Sequence, residues 1–458
     1  MVGLAPLDTI VLAALAIFAF TLFLMIKRPR NLRIGYAAGI GAVASLLVGV
    51  VSLGQAAQSF LDIWDAALAF IGIVTLSVTL DAMGFFRWAA LRVVRSAGGN
   101  GLRLYLYISL LTAVVSILFA NDSAVLILTP IVLEIVLVLG INADARMAYL
   151  FAAGLMADTA AMPLITSNPI NIVSSDFFKY SFVQHAVFMA PVAAATIAST
   201  LLLVYLFFRK KIPKSYNLAS IEKMATTVKP ISSGILKLVL ASLAFIDVGY
   251  VLTSLSRVPV SLVICTGAIF LIIVYWAAPK LDRTLGKERL TMKDLAHNIN
   301  WDMVLFMVSI FIVVQGLENV GISQLLASAL VKASALPSVL GVFAPSIIVT
   351  VGASFMNNWP MTILGLLSIK QAIVLGGLGP SAFTGLVFSN IIGNNLGPHF
   401  FPLGSLAILM WLECMRKKGV NISLREYLKV GAALSIVQVL VASAILWSEL
   451  NAGLTLRI

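Results

Sequence analysis

The residues FANDSAVLILTP, at positions 119 to 130, place an amide, a carboxyl and a hydroxyl group in one of the most apolar regions of the chain. An acidic side chain at the middle of a bilayer costs roughly 2.5 to 3.5 kcal/mol on insertion scales. Asn121, Asp122 and Ser123 can cap the free N–H groups of a helix that begins there. They can also bind a polar ligand, because the start of a helix presents its positive dipole end. The two uses are compatible, since these side chains offer more hydrogen-bonding sites than a cap needs.

Three further apolar segments are interrupted in the same way by amides, hydroxyls, Pro and Gly. Pro removes a backbone donor and frees a carbonyl one turn back. The residues predicted to bind a solute are the amide, hydroxyl and carboxyl side chains at these interruptions: Asn121, Asp122, Ser123, Thr166, Ser167, Asn168, Asn171, Asn357, Asn358, Thr362, Asn394, Asn395 and Ser405. Asp158, within one of these interrupted segments, supplies a second carboxyl group. Such a site carries little charge and suits a small, neutral, polyhydroxylated solute.

The composition is that of a polytopic membrane protein. Of 458 residues, 60% are hydrophobic and 11% charged, and the mean hydropathy is +1.04, which lies outside the range of soluble domains. The net charge of +12 comes from short basic clusters between apolar runs, which argues against a nucleic-acid partner. Cys265 and Cys414 lie far apart, so the sequence predicts no disulfide, metal site or cofactor.

Apolar runs long enough to cross a bilayer predict an all-α membrane protein with about ten crossings and two re-entrant helical hairpins. Eight crossings are continuous, near 9–26, 34–53, 63–84, 182–208, 235–255, 259–278, 302–322 and 427–449. Two crossings, 147–176 and 382–411, are broken by polar residues and Pro. The hairpins, 102–140 and 338–376, turn at Asn121-Asp122 and at Asn357-Asn358.

The distribution of Lys and Arg gives an orientation. With both termini outside, this arrangement places 26 of these residues on the inner face and five on the outer face, as the positive-inside rule requires. The basic segment 209–233 is then a cytoplasmic linker beside anionic lipid.

The two parts of the chain on either side of this linker resemble each other. Trp64-Asp65 recurs as Trp301-Asp302 and Asp158 as Asn395, both at a shift of 237, and Asn121-Asp122 recurs as Asn357-Asn358 at a shift of 236. The sequence therefore predicts a first repeat at 1–208 and a second at 234–458. Five crossings per repeat is an odd number, so the second copy is inverted in the membrane. Inverted repeats with interrupted helices are typical of secondary transporters.

The interruptions should face one another, because irregular backbone is tolerated at membrane depth only inside protein or beside a water-filled cavity. Alternating access to such a site by a secondary transporter is the favoured interpretation. A sodium/proton antiporter and a passive channel for small hydroxylated solutes remain alternatives. No GxxxxGK[ST] loop is present, so the chain has no P-loop route to ATP hydrolysis, and no catalytic motif supports an enzyme.

Six segments resemble, in order and spacing, the bacterial arsenite efflux pumps of the ArsB type. They are DAMGFFRWAALRVVR, FANDSAVLILTPIV, ADTAAMPLITSNPINIVSSDFF, LVYLFFRKKIPKSY, FMNNWPMTILGLLSI and GNNLGPHFFPLGSLAILMW. The resemblance spans nearly the whole chain and implies membership of the ion transporter superfamily. It implies export of arsenite, and of antimonite, across the inner membrane in exchange for protons. It also implies a possible partner, a separate ArsA-type ATPase on the cytoplasmic face.

The chemistry of trivalent arsenic fits this resemblance. Near neutral pH it is mainly the uncharged trihydroxide, which offers hydroxyls to amides and needs no cationic clamp, and two remote cysteines cannot form a three-thiol trap. One departure concerns the second broken crossing. The family usually has Asp-Leu-Gly-Pro-Lys there, whereas this chain has Asn395-Leu-Gly-Pro-His399. The replacement of an acid and a base bears on which groups carry protons. Asp122 is the first candidate for a proton carrier and Asp158 the second. His399 itself is expected to be packed or hydrogen-bonded rather than to bind metal.

Overall fold

The computed structural model describes residues 5–217, 233–254, 258–281, 291–374 and 378–456. Across those ranges the regular structure is helical, with one isolated β-bridge between Asn100 and Ser215. Nine of the described helices are long and apolar enough to cross a membrane. The prediction of an all-α polytopic protein is confirmed.

Helices α1 to α9 form the first half. They are α1 (Ala5–Lys27), α2 (Ile34–Leu47), α3 (Leu53–Ala82), α4 (Phe85–Ser96), α5 (Gly101–Phe119), α6 (Asn121–Val138), α7 (Ala143–Thr159), α8 (Pro169–Phe178) and α9 (Phe182–Phe208). A short 3-10 helix, Ile165–Ser167, lies between α7 and α8.

The described helices of the second half are α10 to α19. They are α10 (Ser233–Ser254), α11 (Val260–Leu281), α12 (Met292–Asn298), α13 (Trp301–Asn319), α14 (Ile322–Ser334), α15 (Leu340–Met356), α16 (Asn358–Val374), α17 (Pro380–Leu396), α18 (Leu406–Lys417) and α19 (Leu424–Asn451). Helices α14, α16, α17 and α18 begin 237 residues after α4, α6, α7 and α8. The short helix Pro402–Gly404 follows Ile165–Ser167 at the same shift.

Each predicted hairpin is a pair of helices separated by one residue with positive φ. Ala120 separates α5 from α6 with φ 64° and ψ 154°. Asn357 separates α15 from α16 with φ 80° and ψ 150°. An L-residue with positive φ breaks a helix sharply, and the two helices of each pair pack against each other.

These breaks correct the predicted register of the hairpins. Ala120 corresponds to Asn357, so the shift is 237 here as elsewhere, and the predicted shift of 236 is wrong. Asn121 therefore corresponds to Asn358 and Asp122 to Trp359. The sequence pattern matches Asn121-Asp122 with Asn357-Asn358. In the structure, however, Asn357 is the residue at the break, whereas Asn121 follows the break at Ala120. As a result, Asp122 has no polar counterpart in the second half.

The second and third predicted crossings also differ from the structure. Helix α2 ends at Leu47, short of the predicted 53, and α3 begins at Leu53, ten residues before the predicted 63. Ser52 and Gln55 form a capping box at the start of α3, and this local signal is stronger than the loss of hydropathy at Gln55 and Gln58.

Acidic residues join helices of the two halves in a symmetric way. Asp65 Oδ1 accepts the backbone N–H of Ser261 at 3.1 Å, in the first turn of α11. Asp302 Oδ1 accepts the backbone N–H of Gly35 at 3.1 Å, in the first turn of α2. Asp65 and Asp302 are 237 residues apart, so α3 packs on α11 as α13 packs on α2. Each half therefore supplies one aspartate that binds the first turn of a helix in the other half.

The core is one large cluster of buried aliphatic and aromatic side chains drawn from both halves. Large apolar side chains, including Leu47, Phe245 and Val374, are also exposed on the surface, as expected where the surface faces lipid rather than water. Most of the predicted linker, residues 218–232, and the end of the predicted second hairpin, at 375 and 376, lie outside the described residues.

Candidate functional site

The two broken crossings place half-helices at the centre of the molecule. After α7 ends at Thr159, the chain passes through irregular backbone before α8 begins at Pro169. After α17 ends at Leu396, the short helices Gly397–His399 and Pro402–Gly404 precede α18. Pro at the first helical position of α8 removes an N–H that has no partner there in any case.

The residue before each half-helix caps it. Asn168 Oδ1 accepts the backbone N–H of Ile170 at 3.3 Å, and Ser405 Oγ accepts that of Ile408 at 3.3 Å. Capping, the alternative to ligand binding at such breaks, is therefore a real use of these two side chains. Their remaining hydrogen-bonding capacity is directed at the other half.

Two hydrogen bonds join the broken crossings across the molecule. The Asn168 side chain donates to Asn395 Oδ1 at 2.9 Å, and the Ser405 hydroxyl donates to Asp158 Oδ1 at 3.3 Å. Asn168 and Ser405 are equivalent at a shift of 237, as are Asp158 and Asn395. Each bond runs from the cap of a half-helix to the last turn of the broken helix in the opposite half. The shift of 237 residues that relates helix starts in the two halves thus also relates the side chains in these two bonds.

Asp158 lies at the centre of this arrangement. Its Oδ1 also accepts the Asn121 amide of the first hairpin at 2.7 Å, and the side chain is almost fully buried. Asn121 Oδ1 accepts the backbone N–H of Asp122 at 3.0 Å. Asp122 is only half-buried. The Asn121 side chain thus links the backbone of Asp122 to the carboxyl group of Asp158.

His399 faces the other oxygen of the same carboxyl group. Its Nε2 lies 3.7 Å from Asp158 Oδ2, and its Nδ1 lies 2.8 Å from Gln438 Oε1 on α19. The amide nitrogen of Gln438 donates to Thr159 Oγ1 at 3.0 Å and Thr200 Oγ1 at 2.7 Å. His399 is buried and hydrogen-bonded, as expected.

The other predicted residues of the first half surround this centre. Asn171 Oδ1 accepts the Asn395 amide at 3.1 Å, while its own amide bonds to Ala161 O and Leu164 O. Ser167 Oγ donates to Ile117 O at 2.9 Å. Thr166, which precedes Ser167, and Ser123, two residues after Asn121, are also buried. These bonds hold the irregular backbone of the break in one conformation.

The second hairpin contributes a more separate group. The Asn357 amide donates to Leu403 O at 3.1 Å, two residues before Ser405. Thr362 O accepts the amide of Asn390 at 3.3 Å. Asn394 donates to Asn390 O and Oδ1.

Two buried amide oxygens in this group, Asn358 Oδ1 and Asn394 Oδ1, have no hydrogen-bond partner. Unpaired buried acceptors are uncommon in folded proteins. The second hairpin and its neighbour α17 therefore retain the capacity to accept hydrogen bonds from a solute.

The sequence alone did not indicate Gln438, Asn390, Thr196 or Thr200 as part of this site. Gln438 is an amide within an apolar crossing, and Thr196 and Thr200 are one turn apart on α9. An intramembrane amide is a weak signal of function on its own. Gln438 contributes to the site because α19 and α9 pack beside the breaks.

Two other observations limit the chemistry of the site. Cys265 on α11 and Cys414 on α18 are unpaired thiols and take no part in the hydrogen bonds above. Among the described residues, no group of three or more His, Cys, Asp or Glu side chains is placed to hold a metal ion. The donors and acceptors at the centre are amides, hydroxyls, carbonyls, one carboxyl pair and one imidazole.

This fold, with half-helices and one-residue breaks packed around buried polar side chains, defines a multi-pass membrane transporter fold. The YdaH transporter of Alcanivorax borkumensis, known from a crystal structure, has a similar fold. The TM-score is 0.58 at 13% identity, and the similarity covers 87% of this chain and 88% of that one.

The family model described as "ArsB: Arsenical pump membrane protein" matches residues 13–449. An Escherichia coli arsenical pump membrane protein is 38% identical, over 96% of this chain and 99% of the relative. A Yersinia enterocolitica relative of the same description is 36% identical, over 97% of this chain and 100% of the relative. The chain belongs to the ArsB family of arsenical pump membrane proteins.

Proposed function

We propose that this protein exports arsenite, and antimonite, from the bacterial cytoplasm as the neutral trihydroxide in exchange for protons. Membership of the ArsB family supports the arsenical substrate. The observation that carries the mechanism is the pair of symmetric hydrogen bonds, Asn168 to Asn395 and Ser405 to Asp158, which joins the two halves across the buried breaks. These contacts must break and reform if access to the site alternates between the two faces.

The substrate interacts with amides and hydroxyls rather than with thiolates. A trihydroxide both donates and accepts hydrogen bonds, and carboxamide side chains do the same. Five of the predicted binding residues are buried and bond to one another or to Asp158 in this conformation: Asn121, Asn168, Asn171, Asn395 and Ser405. Arsenite binding replaces some of these internal bonds, so little net hydrogen bonding is lost when the solute sheds water.

The proton-coupling groups are Asp122 and Asp158. Asp158 is buried on the broken helix α7, and Asp122 is half-buried at the start of α6. Each carboxyl is loaded from outside and released inside as the two halves move.

The arrangement in the membrane follows from the charge distribution. The halves are inverted repeats, both termini lie outside the inner membrane, and the basic linker lies in the cytoplasm. An ArsA-type ATPase, where the cell has one, docks on that inner face.

The decisive experiment is arsenite uptake into everted membrane vesicles under an imposed proton gradient. Wild-type protein should accumulate arsenite above its external concentration, and a protonophore should abolish the accumulation. The D122N variant should lose this uphill uptake, because its amide cannot carry a proton. The matched control is D144N, which alters an exposed carboxyl in the first turn of α7.

Three results would contradict the proposal. Arsenite movement that is unaffected by a protonophore would indicate a passive channel. Sodium-dependent dissipation of the proton gradient in the absence of arsenite would indicate a sodium/proton antiporter. Uphill uptake at the wild-type rate by the D122N variant would remove Asp122 from the proton path.

A further inference from the structure

Asp158 and His399 present two unsatisfied atoms to each other in the interior. Asp158 Oδ2 and His399 Nε2 are 3.7 Å apart. Neither atom has a hydrogen-bond partner, and both side chains are almost completely buried. The first atom belongs to α7 of the first half and the second to the short helix after α17 of the second half.

Gln438 determines which nitrogen of His399 carries hydrogen. The Gln438 amide nitrogen lies 3.3 Å from the backbone carbonyl of Thr196, an oxygen that can only accept. The amide oxygen therefore faces His399 Nδ1 at 2.8 Å. Because that oxygen also can only accept, the hydrogen of a neutral imidazole resides on Nδ1.

Nε2 of the neutral imidazole is consequently a bare acceptor directed at a carboxylate oxygen. Two buried acceptors without a hydrogen between them are unfavourable, because both have lost their water. One proton, on either Nε2 or Oδ2, changes the contact into a donor and an acceptor. The site is therefore built for a single proton that both residues share.

We propose that His399 and Asp158 together hold one transported proton, and that this proton controls whether the two halves close on each other. The inference rests on the proposed function and specifies its coupling residues. The separation of 3.7 Å exceeds that of an N–H···O hydrogen bond. With the proton bound, the two residues draw together and hold the halves closed, and without it the two acceptors favour separation.

Few other titratable groups face this pair. Asp122 on α6 follows Asn121, the residue whose side-chain amide donates to Asp158 Oδ1. Tyr427 on α19 donates its hydroxyl to Pro398 O at 3.4 Å. Helices α15 and α17, which also pack on the short helix of His399, contain no ionisable side chain. On α18, Glu413 is directed away and pairs with Arg28 and Lys417.

The tautomer provides a direct test that does not depend on transport. The chain has three histidines, so ¹⁵N-histidine labelling gives three imidazole spectra, and that of His399 is identified by its loss in the H399Q variant. We expect His399 to carry hydrogen on Nδ1 alone at high pH and to gain the Nε2 proton in one step on acidification. The D158N variant should displace the midpoint of that step. An Nε2–H tautomer at high pH, or a midpoint unchanged by D158N, would overturn the proposal.

Transport by the H399Q variant is the second test. Gln keeps a polar contact with Gln438 but cannot take a proton. We expect uptake under a proton gradient to fall to the level measured without a gradient, while arsenite counterflow, which needs no net proton movement, is retained. The control is H185Q, because His185 is equally buried but bonds to Met162 O at 2.8 Å and lies beside Tyr180.

The outcomes of this test separate the inference from the proposed function. Absence of gradient-driven uptake in the wild-type protein would refute the proposed function itself. Gradient-driven uptake at the wild-type rate by H399Q would refute only the shared proton. If H399Q fails to fold, the His399 spectrum is identified by elimination with the H185Q and H297Q variants, and the ¹⁵N titration of the wild-type and D158N proteins still decides the question.

Discussion

At the scale of residues, the two halves have equivalent positions but different charges. Asp158 and Asn395 occupy the same place in the last turn of their broken helices, and Asp122 corresponds to Trp359. Both acids thus belong to the first half, and the second half supplies an imidazole, His399, to face one of them. The two acids and the histidine are thus distributed unequally between the halves, although their helices correspond in position.

The cysteines allow a test of how arsenic is recognised. We expect the C265S/C414S double variant to keep gradient-driven arsenite uptake close to the wild-type rate. Cys265 donates its thiol to Leu68 O at 3.6 Å, and Cys414 lies on α18. Neither thiol takes part in the hydrogen bonds of the central amides. Uptake into everted vesicles is the measurement. Loss of transport with normal membrane insertion would instead indicate that a thiolate binds arsenic.

At the scale of elements, helix capping and contact between the halves are combined in the same side chains. Ser405 caps α18 and also donates to Asp158, whereas Ser423 forms only a local capping box with Glu426 at the start of α19. The two serines offer the same cap chemistry in different settings. Replacing each serine by alanine therefore separates the effect of a lost helix cap from the effect of a lost contact between the halves.

We expect S423A to lower stability by about 1 kcal/mol for a lost N-cap, and S405A to lower it further, because the buried Asp158 also loses a hydrogen bond. Thermal unfolding in detergent measures this effect. Gradient-driven arsenite uptake should fall strongly in S405A alone, because that variant also removes a hydrogen bond to the buried Asp158. Equal transport by the two variants would show that the contact between halves has no role in the cycle.

At the scale of the whole molecule, the described conformation is closed at its centre. Asn395 and Asn168 are 1% and 3% exposed and bond to each other. Alternating access requires that this contact open to one face and then to the other. A single buried cysteine at this point can report the opening.

We expect N395C, in a background without Cys265 and Cys414, to react with N-ethylmaleimide only when the transporter is turning over. Arsenite together with a proton gradient should increase the labelling rate, because the halves then separate transiently. The control is S45C on α2, where Ser45 is equally buried and bonds to Gly41 O within its own helix. A labelling rate of N395C that is independent of turnover would contradict alternating access through this contact.

Much of the fold could be predicted from local signals. Apolar length identified the crossings, and Asn, Pro and Gly marked the breaks near 120, 163, 357 and 398. The errors were also local. The start of α3 was misplaced because hydropathy fell where a capping box began, and the hairpin register was shifted by one residue because similar letters were matched across a break.

Two properties could be read from the amino-acid sequence: the chain resides in a membrane, and polar residues interrupt four of its apolar segments. Those properties depend on hydropathy and chain stiffness, which neighbouring residues set. The packing of the helices was needed to show that Asp158 faces His399, that Gln438 contacts that imidazole, and that Asn168 and Ser405 bond to the opposite half. These contacts join residues 39 to 247 positions apart, and their geometry depends on how the packed helices bring the two halves together.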